Sequence, residues 1–319
     1  MNRKKWRFLP LLLAALLLAG CGGGGTRMGT AGQGGVYYAF GNAFAKVVKA
    51  ANGPAIEVRE TAGSAANLRL LDGDYLQLAI AQNDLLAEAL TGTGAYSGKA
   101  LKGFSAIAQL YTEAFHIVVR ADSDIEVPAD LLGHTVSVGE KESGTERSAE
   151  SVLAAAGLAG DTVVRKNMNY TEAAAALKNK EIDAMFCTAG IGNDVVAGLA
   201  KELPVRILPV EGRLRTNLLS AHPALDKIVI PAGTYEGQDE DVMTMGIGSI
   251  LVASDKLDAK TVKNLTGLLF ANAEALKKEV PSLSELTPAN AVDGIVVPFH
   301  KGAAEYYTEL GFALRGKEE

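Results

Sequence analysis

Three short clusters carry residue types suited to holding a small polar molecule. The first is Gly29-Thr30-Ala31-Gly32-Gln33-Gly34-Gly35-Val36-Tyr37-Tyr38. Glycines at a strand–helix junction let the backbone come close to a ligand. The helix that follows offers orphan N–H groups to an anion. The cluster lacks the lysine and hydroxyl of a P-loop, and Tyr37 stands where a dinucleotide fingerprint needs its last glycine. Alone, it fits a structural turn as well. The second cluster is Thr61-Ala62-Gly63-Ser64-Ala65-Ala66-Asn67. Ser64 can cap a short helix, and Gly63 lets the chain turn sharply. Asn67 falls one turn on, on the same face as Ser64, which leaves it for a ligand. The third, Ser143-Gly144-Thr145, opens another helix. Its hydroxyl and N–H groups would cradle a carboxylate or phosphate, although simple capping also accounts for it. Three helix N-termini facing one cleft are more specific than any one alone.

Catalytic patterns are scarce. The four histidines (116, 134, 222 and 300) are dispersed and form no zinc spacing. HExxH, GxSxG and the P-loop lysine motif are all missing, which lowers an enzyme reading. Glu113 and His116 are close on one strand region, where a satisfied structural pair is the simpler reading than a catalytic one. Cys187 sits in the apolar run Asp183–Cys187 and reads as a buried small hydrophobe. We therefore assign no nucleophile or general base, and expect no metal and no cofactor.

The N-terminus carries an address. Asn2 to Arg7 is basic, Phe8 to Leu18 is apolar apart from Pro10, and Leu18-Ala19-Gly20-Cys21 follows. A basic start and a short apolar run read as a secretory signal, and the run is far shorter than the ~20 residues of a spanning helix. Small residues followed by cysteine resemble a lipobox, in which Cys21 is lipidated and becomes the first mature residue. Losing Arg3, Lys4, Lys5 and Arg7 with the signal moves the formal net charge from −6 to −10. So acidic a chain is a poor candidate for nucleic-acid binding. With Cys21 lipidated, Cys187 alone remains, so no intramolecular disulfide can form. Gly22 to Gly25 would be a tether of ~13–14 Å at full extension.

The elements that must position these clusters alternate. Strand signals at Thr26–Thr30, Ile56–Glu60, Tyr75–Ala81, Phe104–Tyr111 and Phe115–Arg120 are separated by helical patterns at Tyr37–Ala51, Ala65–Leu71 and Leu85–Leu90. The pattern restarts from Thr135 to Val210. Such alternation predicts an α/β chain with largely parallel sheets. Leu70–Ile80 and Leu177–Phe186 echo each other as helix end plus strand, and both strands finish in polar or small residues. Ligands of open α/β sheets sit beyond the carboxyl ends of strands, so two facing halves would enclose a cleft. Val242–Ala253 is one long apolar run able to cross between lobes, and Asp258–Lys278 reads as a single helix with an apolar stripe.

In this order, the clusters resemble the TAXI solute receptors of tripartite ATP-independent periplasmic (TRAP) transporters. The likeness runs through GTAGQGGVYY, TAGSAANL, LAIAQND, DLLGHTVSVG with SGT, EIDAMF, GTY and PFHKGAAEYYTELG, across nearly the whole mature chain. It departs at Glu142, where GSGT is usual, and at Lys301, where HPGA is common. Glu142 would then either face solvent or pair with a ligand ammonium. The resemblance implies a two-lobed, type II periplasmic-binding-protein fold with a ligand cleft between the lobes. It implies an extracytoplasmic receptor, not an enzyme, that delivers a small organic anion or amino acid (glutamate-like or dicarboxylate) to TRAP-type permease subunits. Its ligand contacts map onto Tyr37, Ser64, Asn67, Gln82, Ser143 and Thr145, with Tyr38, Thr188 and Tyr235 beside them. The clusters themselves add Thr30, Gly35, Gly63 and Gly144. The expected layout is a signal over 1–20, lipidated Cys21 and tether over 21–25, lobe I over 26–120 plus 243–319, and lobe II over 121–242. Alternatives are a binding lipoprotein of an ABC-type importer, a sensor-linked receptor and, further off, a secreted α/β hydrolase.

Overall fold

A computed structural model describes residues 25–314. Cys21 and the apolar run before it lie outside the described residues, as does most of the tether. In chain order the elements are β1 (Thr26–Gly29), α1 (Val36–Ala50), β2 (Ile56–Arg59), α2 (Ser64–Asp72), β3 (Leu78–Gln82) and α3 (Asn83–Thr91). A long strand, β4 (Phe104–Arg120), follows. Then come β5 (Thr135–Ser137), α4 (Gly144–Ala155), β6 (Val164–Lys166), α5 (Tyr170–Lys178), β7 (Ala184–Ala189), α6 (Asp194–Glu202) and β8 (Val205–Ile207). The chain continues through α7 (Gly212–Ala221), β9 (Leu225–Ile230), β10 (Val242–Ser254), α8 (Ala259–Ala271), α9 (Ala273–Glu279) and α10 (Lys301–Glu309).

One mixed sheet joins the strands in the order β2-β1-β3-β10-β4-β7-β5-β6, with β8 beside β4 and β9 beside β10. β1 is parallel to β2 and β3, and β5 is parallel to β6 and β7. The crossing strands run against them: β10 is antiparallel to β3, and β4 to β7. The two halves thus repeat one pattern, three parallel strands followed by one antiparallel strand that comes from the other half. This is the structural content of the internal echo.

The hydrophobic cores divide accordingly. Met28, Phe40, Phe44, Ile107 and Leu251 pack with α8 on one face of the first half, and Leu68, Leu85 and Ile250 pack on the other. In the second half, Phe115, Ile117 and Met245 pack with α4, while Val118, Met185 and Cys187 pack with α5 and α6. β4 and β10 each enter both sets of cores. The result is an α/β, two-lobed, type II periplasmic-binding-protein fold with a cleft between the lobes.

Three local expectations change. Phe104–Arg120 is one strand, because burial on both faces carries the pairing from β10 straight on to β7 and β8. The predicted helix over Asp258–Lys278 breaks at Asn272, which leaves helical geometry while its side-chain amide donates to the Leu268 carbonyl at 2.9 Å. The crossing strands are antiparallel, so parallel pairing is confined to each lobe. Among the described residues, no helix is long and apolar enough to cross a membrane.

Candidate functional site

The cleft lies where the carboxyl ends of β1, β3, β5 and β7 meet, as open α/β sheets lead one to expect. Four helices place their first turns in its wall. Gly35, Val36 and Tyr37 come from α1, and Gly63 and Ser64 from α2. Ser143, Gly144 and Thr145 come from α4, and Asn169 and Tyr170 from α5. Glycine caps α1 and α2, so no side chain accepts their first-turn N–H groups. On α4 the Ser143 hydroxyl accepts from Glu146 N, and on α5 Asn169 and Glu172 form a capping box. The space left between the lobes is a small cavity of about 60 Å³.

The floor is a buried network around Glu113. Its Oε2 accepts from Gln82 Nε2 at 2.9 Å and Tyr37 Oη at 3.3 Å, and its Oε1 accepts from Tyr111 Oη at 3.1 Å. The Ser64 hydroxyl accepts from Gln82 N at 3.2 Å and lies 3.4 Å from Tyr37 Oη. These bonds favour the carboxylate, but burial outweighs them and pushes Glu113 up to about 7. Gln82 is 1% exposed, and its Oε1 has no hydrogen-bond partner. Opposite, Tyr170 Oη donates to the Thr188 carbonyl at 2.8 Å and lies 2.7 Å from Thr145 Oγ1, which accepts from Thr188 N. Burial holds the phenols of Tyr37, Tyr111 and Tyr170 well above their ordinary range.

Of the residues expected from sequence, Gly35, Tyr37, Gly63, Ser64, Gln82, Ser143, Gly144, Thr145 and Thr188 come together here. Four do not line the cleft. Asn67 is fully engaged behind it: Nδ2 donates to the Thr30 and Ile80 carbonyls at 2.7 and 2.8 Å, and Oδ1 accepts from Thr61 Oγ1. The Thr30 hydroxyl donates to the Arg59 carbonyl. Tyr38 is half-buried and is not among the residues that line the cleft. Tyr235 Oη bonds His116 Nε2 at 2.8 Å and accepts from Gly192 N and Asn193 N, which braces the loop before α6. Glu113 and His116 therefore belong to separate networks. Burial lowers His116 to about 4, and its Nδ1 faces the Ala114 and Cys187 carbonyls, so the ring is neutral with the proton on Nδ1.

Glu142 stays at the surface, its side chain 42% exposed. Its carboxylate takes a two-pronged bond from Arg69 Nε and Nη2, both at 2.9 Å, across the lobe boundary. A second such pair joins Arg147 of α4 to Glu88 of α3. The lobes also touch through Ala66 N, which donates to the Glu142 carbonyl, and through the Gln82 amide, which lies flat on Gly144. A Cβ at Gly144 would fall 2.4 Å from Gln82 Cδ.

Sequence reading missed Tyr170 and Glu140 as cleft residues and left Glu113 outside the site. The Asn169–Glu172 capping box was the available signal for Tyr170, since it places that residue in a helix first turn.

Comparison with solved structures supports the fold. A protein from Bordetella bronchiseptica RB50 aligns with a TM-score of 0.54 at 19% identity, over 89% of this chain and 81% of its own. A Listeria monocytogenes protein described as an L-cystine ABC transporter aligns with a TM-score of 0.51 at 13% identity, over 80% and 93%. The arginine-, lysine-, histidine-binding protein ArtJ from Geobacillus stearothermophilus aligns with a TM-score of 0.50 at 13% identity, over 83% and 97%. A family description, "NMT1-like family", matches residues 28–311. That span takes in both lobes and every wall of the cleft, and the chain belongs to the NMT1-like family.

Proposed function

We propose that this protein is an extracytoplasmic solute receptor, lipid-anchored through Cys21, that closes its lobes on a small organic anion or amino acid and delivers it to a membrane permease. The observation that carries the reading is the convergence of four helix N-termini from both lobes on one small cleft. Such ends present N–H groups and the positive pole of the helix to a carboxylate. A ligand touching both walls favours the state in which the walls meet. The permease is of the ion-gradient-driven TRAP type, on the strength of the ordered clusters from Gly29 to Gly311. The likeness to an L-cystine ABC transporter protein favours a second reading, in which the partner is an ATP-driven importer. Uptake by the reconstituted partner separates the two: collapse of the ion gradient stops one, and removal of ATP stops the other.

Thermal melting with a panel of amino acids and small carboxylates tests the receptor reading. Ligand at a hundred times its Kd adds about 2.7 kcal/mol to the folded state, so a clear rise in Tm is expected for at least one compound. A panel that leaves Tm unmoved rejects it.

A further inference from the structure

We infer that the ligand carries a protonated amine, received by Glu113 and Gln82, and no more than one carboxylate. The inference rests on the receptor reading and narrows its ligand class. Two carboxylates, Glu113 and Glu140, line the cleft, and no lysine, arginine or histidine is among the described lining residues. At the mouth, Glu140 and Glu60 approach Gly32 from opposite lobes, and burial, followed by the charges of Glu172 and Glu60, raises the proton affinity of Glu140. No cation lies within ion-pair distance of these three among the described residues. A dicarboxylate would bring two more negative charges into this space with only helix ends to receive them. An ammonium group reverses the balance.

The acceptors for it are already on the floor. Gln82 spends its Nε2 on Glu113, which turns Oε1 into a buried acceptor without a donor. A group left so is costly unless something supplies the hydrogen. Glu113 Oε1, which takes one bond from Tyr111, has acceptor capacity left. An ammonium donates three hydrogens and accepts none, so it fits a floor that offers an uncharged acceptor and a carboxylate. The single carboxylate of the same ligand goes to the first turns of α2 and α4. A small amino acid with an uncharged side chain has this shape.

Calorimetry with matched pairs tests the inference: alanine against pyruvate and lactate, and glutamate against 2-oxoglutarate and succinate. The amino member of a pair should bind at least tenfold tighter, and the uncharged amino acids tighter than glutamate. Glu113→Gln should erase the preference for the amine, lowering amino-acid affinity at least tenfold. In the wild type, binding near pH 7 should release protons to the buffer, because an ammonium stabilises the Glu113 carboxylate. This readout does not depend on how any variant folds. An oxo acid or dicarboxylate that binds as tightly as its amino partner overturns the inference and leaves the receptor reading standing. So does an amine preference that survives Glu113→Gln. If no compound binds, both fall.

Discussion

Glu113 and His116 stand three residues apart on β4, and burial drives their charges out in opposite senses. Glu113 rises from 4.5 to about 7, so the folded protein holds this proton more tightly than the unfolded chain. Its neutral form supports the fold fully below pH 4.5, and the support fades as pH rises to 7, by about 3 kcal/mol. His116 falls from 6.5 to about 4, so its neutral form supports the fold above pH 6.5 and is lost as pH drops towards 4, by a similar amount. The two trends oppose each other in nearly the same window. The groups facing Glu113 are Tyr37, Tyr111, Gln82 and, more distantly, Asp84, itself raised to about 6 by burial. Glu113→Gln removes one trend and leaves the other. Denaturant titrations should show the variant gaining on the wild type by about 1–3 kcal/mol between pH 4.5 and 7.5. A difference that stays constant with pH contradicts this assignment. The retained carboxyl would then be a stability cost tolerated for binding.

At the scale of elements, the cleft wall depends on close approach between helix ends and strands of the opposite lobe. Gly144 opens α4 against Gln82 at the end of β3, and any Cβ there collides with the amide. Arg147, one turn further along α4, meets Glu88 on α3 with both side chains largely covered. Gly144→Ala should lower ligand affinity by tenfold or more with its far-UV circular dichroism unchanged. Arg147→Ala should cost about 1–2 kcal/mol, five- to thirty-fold in affinity, and more than Arg69→Ala, whose pair with Glu142 is exposed and worth under about 1 kcal/mol. Equal and negligible effects at all three positions would show that lobe contact does not govern binding.

These wall elements were largely legible, because helix N-termini announce themselves within a few residues. Glycine, serine and asparagine before an apolar period mark α1, α2, α4 and α5 wherever the rest of the chain goes. The floor was not legible. Glu113 lies in a strand buried on both faces, where alternation carries no information about which side chain faces the cleft. The run was read as two strands broken at that very point. Asn67 shows the converse failure: helical spacing placed it beside Ser64, but only tertiary structure shows that the ends of β1 and β3 already occupy its amide.

For the whole molecule, two strands join the lobes within a single hydrogen-bonded sheet. Gly246 and Gly248 of β10 let that strand pass close to Thr112 and Gln109 of β4, where a Cβ would collide. Register shifts at Ser249/Ile250 and Leu251/Val252 follow at once. In the proposed function, Cys21 and the four glycines after it would set the position relative to the membrane. Cys21→Ser should move the protein from the membrane fraction to the soluble fraction without changing ligand affinity. Continued membrane association would remove the anchor from the proposal.

The absence of cations from the described cleft wall has a further effect. A pocket built on arginines attracts its ligand through full charges, which dissolved ions screen within about 10 Å at 0.1 M. Buried helix ends are short-range partial charges, sheltered by the lobes that carry them. The hold of such a pocket on a carboxylate should weaken less with salt than that of an arginine pocket, while the pull of the mouth carboxylates Glu140 and Glu60 on an amine should fall as salt rises.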